Sequence, residues 1–360
     1  MNVSQPVAAS DASAPAAPAA AARWSRRDSG KRRTSRTRRV LRRVARLLIV
    51  LLVVIGAWST WRFFTGPPQV GHFRSAEARA EYLTSYDDAF TALPEPTATS
   101  DIATTYGTVR VYEWSTPQTR DTIPIVLLPG RASGVPMWAA NLPDLAEHRR
   151  VIAFDALGDA GLSVQGTAFT SFDDQATWIE QVLDGLAPRG AHIVGHSFGG
   201  ATAASYARHH PERVVTLTLL EPVFTFANPP AGMLAWTMVS TLPGLPDGAR
   251  EYALGKVGGS EYDASDPMAV MIAQGTKHYA ASLPQPSVLN PAQRAELTMP
   301  VYVAIGDHAS LAGGSAAADV ARTLPDAVVK VWPDTTHSLP MQVGPALNAE
   351  LQAFFTSHDR

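Results

Sequence analysis

The residues of this sequence that could do chemistry surround Ser197. An apolar stretch at residues 191–194 runs into Gly195-His196-Ser197-Phe198-Gly199-Gly200, and a run of small residues typical of a tightly packed helix follows. A sharp turn of this kind strains its central residue and leaves no room for side chains two positions before and two positions after it. Gly195 and Gly199 satisfy that requirement, so the pattern predicts a nucleophile elbow with Ser197 exposed at its tip.

A serine hydroxyl is a weak nucleophile near neutral pH, and it needs a base within hydrogen-bond distance that a carboxylate orients. The chain offers ten histidines. His196 adjoins the serine, but neighbours on an elbow project in different directions, and His192 lies in the strand and is expected in the core. His337 stands in a loop after an apolar stretch and before a closing helix at residues 345–355, so we predict that His337 is the base.

A second group of candidate atoms lies in the backbone. Residues 123–128 form a continuous apolar run, as a parallel strand that is covered on both faces should show. The run ends at Pro129-Gly130-Arg131, and a loop that leaves a central strand beside an elbow can direct a backbone N–H at the reacting carbonyl. We therefore expect the N–H groups of Arg131 and Phe198 to form an oxyanion hole; the alternative is that the Pro-Gly pair is only a turn.

The elements that must position these residues alternate between strand and helix. After the strand at residues 123–128 the pattern indicates a helix at 137–147, a strand at 150–155, a helix at 171–186 and then the elbow strand. A repeat of strand and helix roughly every forty residues predicts a parallel sheet with crossover helices, which is the α/β class.

From about residue 97 to residue 355 the chain resembles the α/β-hydrolase fold superfamily. The likeness rests on Leu128-Pro129-Gly130, on Asp155…Gly158…Gly161-Leu162-Ser163, on the elbow, and on Thr336-His337-Ser338-Leu339-Pro340. It implies a mostly parallel eight-stranded sheet with helices on both faces and a helical cap inserted after the sixth strand. It also implies a nucleophile, an acid and a histidine in that chain order. The sequence departs from the family at Pro129, where members usually carry histidine, and by one extra residue between its glycines 158 and 161.

The acid is the uncertain member of this set. Family members usually carry it three residues after the glycine that ends the seventh strand, but here Gly306 is followed by Asp307-His308-Ala309. Other members carry it after the sixth strand, where this chain has Glu221, and a carboxylate at the carboxyl end of a strand beside the elbow strand can reach the imidazole. We predict Glu221 as the acid, with Asp307 as the alternative and Asp334 as a further candidate; Glu221 could instead be only an ion-pair glutamate.

The same resemblance suggests how the body of the chain is divided. Residues 65–96 are predicted to be a linker and a helix, residues 97–221 and 298–360 the hydrolase core, and residues 222–297 the helical cap. Large apolar side chains are frequent in the cap segment. A lid of this composition over a serine site favours a hydrophobic acyl or alcohol group in the substrate.

The N-terminal region has a different character. Residues 1–46 carry twelve Arg or Lys against two Asp, and since the whole chain has a net charge of −2, residues 47–360 carry −12. We expect residues 1–46 to be a disordered, basic, cytoplasmic arm, because such a charge excess before an apolar stretch fixes its orientation. Residues 47–64 are apolar for about 27 Å of helix, which predicts a transmembrane signal anchor with the catalytic body outside the cytoplasm. The alternative is a cleaved signal and a secreted protein.

Taken together, these features predict a membrane-anchored serine hydrolase that cleaves a carboxylic ester or related acyl bond of a small, hydrophobic substrate. The chain has no cysteine, which excludes disulfides and thiolate metal sites. The expected mechanism needs neither a metal nor an organic cofactor, and the basic arm does not indicate a nucleic-acid partner. Alternatives are a catalytically silent binding module of the same fold, or a carbon–carbon bond hydrolase, lactonase or haloperoxidase-like enzyme.

Overall fold

The computed structural model describes residues 38–47, 50, 54 and 68–359. The chain divides into two compact units, Met1–Pro67 and Pro68–Arg360. In the first unit, residues 38–47 are helical and exposed, in keeping with the good helix propensity of Arg and Leu; residues 38–46 belong to the arm for which we expect disorder. The rest of the predicted arm, and the predicted anchor at residues 47–64 apart from its positions 47, 50 and 54, lie outside the described residues. No helix within the described ranges is long and apolar enough to cross a lipid bilayer.

The second unit is built from strands that alternate with helices. Its strands are β1 (His72–Phe73), β2 (Ala98–Thr104), β3 (Gly107–Trp114), β4 (Ile125–Leu128), β5 (Val151–Phe154), β6 (Val164–Gln165), β7 (Ala191–His196), β8 (Val214–Leu220), β9 (Tyr279–Ala280), β10 (Val301–Gly306) and β11 (Ala327–Trp332). Its α-helices are α1 (Ala76–Phe90), α2 (Leu142–His148), α3 (Asp174–Leu186), α4 (Phe198–His209), α5 (Ala231–Ser240), α6 (Asp247–Gly258), α7 (Pro267–His278), α8 (Pro291–Ala295), α9 (Gly314–Ala321), α10 (Leu339–Gln342) and α11 (Gly344–Ser357).

Nine strands form one sheet, with the order β11-β10-β8-β7-β4-β5-β3-β2 and β6 paired to β3. The pairs from β5 through β4, β7, β8 and β10 to β11 are all parallel, whereas β3 runs antiparallel to β2, β5 and β6. Every residue of β4 and β5 is buried, which explains their uninterrupted apolar sequence. The carboxyl ends of β4, β7, β8 and β10 therefore meet at one edge of the sheet.

Two apolar cores lie on opposite faces of this sheet. Side chains alternate between them along each strand, so that Val126 and Leu128 join one core while Ile125 and Leu127 join the other. The helix predicted at residues 137–147 is instead a 3₁₀ helix at Val135–Ala140 followed by α2, with Pro143 in the first turn of α2. Proline is favoured in a first turn and breaks a helix interior, which accounts for the division.

The helical cap lies between β8 and β10, the position that the resemblance implied. It contains α5, α6 and α7, and α5 packs against α6. Helix α1 of the predicted linker region packs against α7, and the short strand β1 pairs with β9 directly after α7. Within residues 68–96, helix α1 and strand β1 are thus packed on the cap.

Candidate active site

Ser197 lies on the turn between β7 and α4, with φ 56° and ψ −120°. A Cβ atom on Gly195 would lie 2.3 Å from the carbonyl oxygen of Gly199, which is far inside van der Waals contact. A Cβ on Gly199 would lie 2.4 Å from the carbonyl oxygens of both Leu128 and Pro129. Gly195 is therefore required by the tightness of the turn, and Gly199 by the end of β4, which passes against it.

The structure brings Ser197, His337 and Glu221 into one hydrogen-bonded chain. Nε2 of His337 lies 2.9 Å from Oγ of Ser197, and Nδ1 of His337 lies 3.0 Å from Oε2 of Glu221. Because a carboxylate only accepts, Nδ1 carries the proton and donates to Glu221, which leaves Nε2 free to accept from the serine hydroxyl. This tautomer is the one that a general base requires.

Glu221 follows the last residue of β8, and its backbone has φ 47°, a left-handed conformation that is uncommon outside glycine. Its side chain is fully buried. Oε1 accepts hydrogen bonds from the backbone N–H of Gly306 and the hydroxyl of Ser310, both at 2.7 Å, and Oε2 accepts from the backbone N–H of Ala312 at 3.3 Å. These donors stabilise a buried negative charge that faces the imidazole.

Asp307 and Asp334 occupy other positions. The carboxylate of Asp307 lies 2.5 Å from Nδ1 of His308 and accepts from the backbone N–H of Thr335 at 3.2 Å, rather than contacting His337. Partial desolvation raises the pKa of Asp307, but the hydrogen bond to His308 and those from the backbone lower it below its usual value overall. Asp334 is exposed in the turn after β11. The structure thus places Glu221, and neither aspartate, against the imidazole.

The two backbone groups predicted for an oxyanion hole belong to the residue after the serine and to the loop that follows β4. Phe198 is the first residue of α4, where the N–H has no acceptor within its helix. Within the described part of the chain, no hydrogen bond engages the N–H of Arg131 or of Phe198. A Cβ on Gly130 would lie 3.2 Å from Cβ of Ser197, so the loop that carries Arg131 passes directly beside the nucleophile.

The loop after β4 is held by acidic side chains that the sequence analysis did not assign. Asp159 accepts from the backbone N–H of Ala132 at 2.7 Å, and its carboxylate lies 3.6 Å from Nε of Arg131. The Arg131 guanidinium lies 5.4 Å from the centre of the Phe198 ring. These contacts fix the position of the loop, and hence of its N–H groups, relative to α4.

His196 is a further residue whose part in the site the sequence did not reveal. Its ring is buried, and its Nε2–H donates to the carbonyl oxygen of His337 at 2.9 Å. Burial, and secondarily the nearby His337, lowers the pKa of His196 to about 3, so the ring is neutral. His196 therefore holds the backbone of His337. The sequence feature that could have indicated this role is the position of His196 as the last residue of β7, where its side chain points away from Ser197.

The site is covered. Ser197 is 6% exposed and His337 is 7% exposed. An apolar cluster joins the elbow to the cap, and it consists of Phe198, Val223 and Leu311 with Phe172, Phe224, Met233, Val257 and Leu283 packed around them. Met233 and Val257 belong to α5 and α6, so these two helices form part of the cover over Ser197.

Asp144, Glu147 and His148 form the one group of three potential metal ligands found within residues 38–47 and 68–359. All three are exposed on α2, and exposed acidic side chains of this kind are common without a bound ion. None of them belongs to the hydrogen-bonded chain of Ser197.

Comparison with known proteins adds to this geometry. Residues 123–261 match the sequence family described as "alpha/beta hydrolase fold". The uncharacterized carboxylesterase nap of Bacillus subtilis (strain 168) is 30% identical over 145 residues, which are 40% of this chain and 47% of that protein. Carboxylesterase YbfK of the same strain is 26% identical over 156 residues, 43% of this chain and 52% of that protein. The chain thus spans about half the length of the curated relatives it matches.

Among solved structures, the crystal structure of naproxen esterase (carboxylesterase NP) from Bacillus subtilis has a TM-score of 0.71 at 22% sequence identity. The likeness covers 78% of this chain and 99% of that chain, and it concerns the fold. The mostly parallel sheet, the helices on both faces, the cap after β8 and the family match agree with the fold predicted from the sequence. The chain therefore has the α/β-hydrolase fold.

Proposed function

We propose that this protein is a serine hydrolase that cleaves a carboxylic ester by way of an acyl-enzyme. The observation that carries the proposal is the short contact between Nε2 of His337 and Oγ of Ser197, with Glu221 on the opposite nitrogen. The carboxylesterase names of two relatives support the same reaction class.

The reaction follows from the direction of these hydrogen bonds. Ser197 attacks the ester carbonyl while Nε2 of His337 takes its proton, and Glu221 stabilises the imidazolium that results. The N–H groups of Arg131 and Phe198 donate hydrogen bonds to the developing oxyanion. His337 then gives the proton to the leaving alcohol, and a water activated by the same imidazole releases the acid and restores Ser197.

The apolar cluster around Phe198 supports a hydrophobic acyl or alcohol group in the substrate. Val223 and Leu311 are buried beside the elbow, and the partly buried Phe224 and Met233 pack on them from the cap. A cover of this composition favours apolar ligands over charged ones, since it offers few partners for a desolvated charge.

A fluorophosphonate probe tests the proposal, because it reacts with serines that a base activates. The wild-type chain should be labelled at Ser197, and Ser197→Ala and His337→Ala should abolish labelling while both variants keep the wild-type melting temperature within a few degrees. An unlabelled but folded wild-type protein would refute the enzyme and favour the silent binding module. A panel of p-nitrophenyl esters of increasing chain length then defines the acyl preference.

We further propose that residues 47–64 anchor the chain in a membrane, with the body on the non-cytoplasmic side. The support is the sequence alone: an uncharged stretch from residue 47 to residue 61 after an arginine-rich arm. Because the chain has no cysteine, single cysteines placed at residues 20 and 357 can report topology through a membrane-impermeant maleimide. Labelling of intact cells at 357 but not at 20 is expected, and release of the protein by sodium carbonate would refute the anchor.

A further inference from the structure

The loop that carries His337 is held from three directions. Nδ1 of His337 meets the acid, and its carbonyl oxygen accepts from His196, so two of the three attachments belong to the hydrolase core. The third attachment comes from the cap. The hydroxyls of Thr336 and Ser338 both donate to the carbonyl oxygen of Gly258, at 2.7 Å and 3.2 Å. The base is thus joined to the cap through both of its neighbours in sequence.

Gly258 is the last residue of α6, and the carbonyl groups in the last turn of a helix have no partner within the helix. The backbone N–H groups of Gly259 and Ser260 donate to the carbonyl oxygen of Gly255, at 2.9 Å and 3.1 Å. In the described part of the chain, no backbone N–H donates to the oxygen of Gly258, and the two hydroxyls supply its donors. The end of this cap helix is therefore completed by the loop of the base.

The backbone after α6 approaches that loop as closely as glycine permits. Gly259 has φ 78°, and a Cβ atom added to it would lie 2.6 Å from Cβ of Thr336 and 2.9 Å from Cβ of Ala309. Both distances are well inside van der Waals contact. Any other residue at position 259 would therefore move the end of α6 away from the loop.

Helix α6 has few other polar attachments to the hydrolase core. Arg250 donates to carbonyl oxygens at and just after the end of α5, and Asp247 pairs with Lys277, so these bonds stay inside the cap. Among the described residues, no hydrogen bond besides those from the two hydroxyls joins α6 to the core. The contact at Gly258 is thus a large part of what fixes this helix beside the base.

The residue before Gly258 faces the chemistry. Val257 packs on the apolar cluster of Phe198, Val223 and Leu311, which joins the elbow to the cap. An apolar group of the substrate seated against this cluster would touch Val257. Because a planar peptide unit links residues 257 and 258, a shift of Val257 also shifts the carbonyl group that the two hydroxyls engage.

We propose that Thr336, assisted by Ser338, is a positioning residue that couples the base to the cap, so that His337 is held for proton transfer while α6 is docked on its loop. Packing of the substrate's apolar group against Val257 then favours the docked helix, and the ester promotes its own acylation. The inference rests on the proposed esterase activity. It concerns selectivity, because an acyl group too short to reach Val257 cannot use its binding energy in this way.

A double-mutant cycle on the rate of fluorophosphonate labelling at Ser197 tests the coupling. Thr336→Val removes the hydroxyl with little change in shape, and Gly259→Ala moves α6 off the loop. Each change should slow labelling about fivefold, as expected for one lost hydrogen bond. The double variant should be no slower than the slower single variant, because both changes break the same contact. A double variant slowed by the product of the two single effects would overturn the proposal.

Thr335→Val is the matched control for the cycle. The hydroxyl of Thr335 is also buried in this loop, but it donates to the carbonyl oxygen of Trp332 at 2.9 Å and so stays within the core. Its effect on labelling should multiply with that of Gly259→Ala, because the two changes act on separate contacts. Equal coupling of Thr335→Val and Thr336→Val to Gly259→Ala would mean that the loop is only generally sensitive, and the proposal would fall.

Selectivity for the acyl group gives a second kinetic measure. The ratio of kcat/KM for p-nitrophenyl octanoate to that for p-nitrophenyl acetate should fall at least about threefold in Thr336→Val. Thr336→Ser keeps the hydroxyl and should retain the wild-type ratio within about twofold. A loop that is merely weakened would lose activity equally on both esters, so an unchanged ratio in Thr336→Val contradicts the coupling.

Hydrogen exchange of the backbone amides of α6 supplies a measurement that does not depend on activity. Exchange in the last two turns of the helix should be at least about threefold faster in Thr336→Val than in wild type, and Thr335→Val should leave it at the wild-type rate. Unchanged exchange in Thr336→Val would overturn the proposal even if the protein cleaves esters. A wild-type chain that the probe does not label would refute the esterase activity, and exchange would still decide whether Thr336 holds the cap helix.

Discussion

Replacing Glu221 with glutamine tests the arrangement at the centre of the site with little change in volume. Glutamine keeps the shape of the side chain but removes its charge. Oε1 of Glu221 accepts two hydrogen bonds at 2.7 Å, so the amide oxygen of glutamine will occupy that position and its NH₂ group will face His337. Nδ1 of His337 must then accept rather than donate, which moves its proton to Nε2 and prevents it from acting as a base.

The magnitude follows from the contact distance. A carboxylate 3.0 Å from the imidazolium contributes about 5 kcal/mol at an effective dielectric constant of about 20. Since about 1.4 kcal/mol corresponds to a factor of ten in rate, Glu221→Gln should lower the acylation rate roughly 10³- to 10⁴-fold. The oxyanion hole and substrate binding should leave some residual activity.

Asp307→Asn is the matched control, since it makes the same chemical change at the other candidate acid. The carboxylate of Asp307 contacts His308 and Thr335, so its loss should alter the acylation rate by less than about threefold. Stopped-flow measurement of p-nitrophenol release gives the rate for both variants, and circular dichroism shows that they are folded. A folded Glu221→Gln protein within tenfold of wild type, or an Asp307→Asn protein as slow as Glu221→Gln, would refute the assignment of the acid.

Three further predictions concern the supports of the site. Ser310→Ala removes a hydrogen bond of 2.7 Å to the Glu221 carboxylate, which should lower kcat/KM for a p-nitrophenyl ester about tenfold. Gly195→Ala should lower the free energy of unfolding in urea by at least about 2 kcal/mol, because its Cβ meets a carbonyl oxygen at 2.3 Å. The control Gly185→Ala, with open space around it in α3, should raise that free energy by about 0.5 kcal/mol, and similar losses in both variants would contradict the steric argument. Burial lowers the pKa of His196 to about 3, whereas a histidine in the unfolded chain has a pKa of about 6.5. As the pH falls, the unfolded state therefore binds the proton first, and the free energy of unfolding declines between about pH 6.5 and pH 3. His196→Gln should reduce the slope of the unfolding free energy against pH in this range by about 1 kcal/mol per unit, and an unchanged slope would show that His196 is protonated in the native state.

The sequence predicted the fold, and it predicted that Ser197 and His337 contact each other. Both predictions depend on local patterns in the sequence. The continuous apolar strands and their spacing determine a parallel sheet. The elbow is visible as a pattern of five consecutive residues, although only Gly195 is required by a contact within the turn and Gly199 by the end of β4. His337 could be selected because the sequence around it indicated a loop between a late strand and a closing helix. In each case the pattern is made of residues that are close in sequence, or the order of strands and helices alone determines at which edge of the sheet the residue lies.

The sequence favoured Glu221 over Asp307 as the acid, but local patterns could not exclude Asp307. Strands β8 and β10 are adjacent and parallel, so the residues that follow them lie at the same edge of the sheet. What distinguishes them is the backbone after each strand: φ of 47° at Glu221 turns its side chain inward, and the loop after β10 supplies the hydroxyl of Ser310 to receive it. These are contacts between segments about ninety residues apart, and no spacing in the sequence reports them.

The segment predicted as a linker and a helix also makes distant contacts that the sequence does not report. Residues 65–96 have weak hydrophobic patterning, yet α1 buries Tyr86, whose hydroxyl donates to Asp155 at 3.2 Å. Asp155 also accepts from the backbone N–H of Val135 at 2.9 Å, and burial raises its pKa. Since Val135 ends the loop that carries Arg131, α1 helps to fix the loop through Asp155. The motif that begins at Asp155 thus supports the loop that carries Arg131, and α1, which precedes residue 97, helps to position that loop.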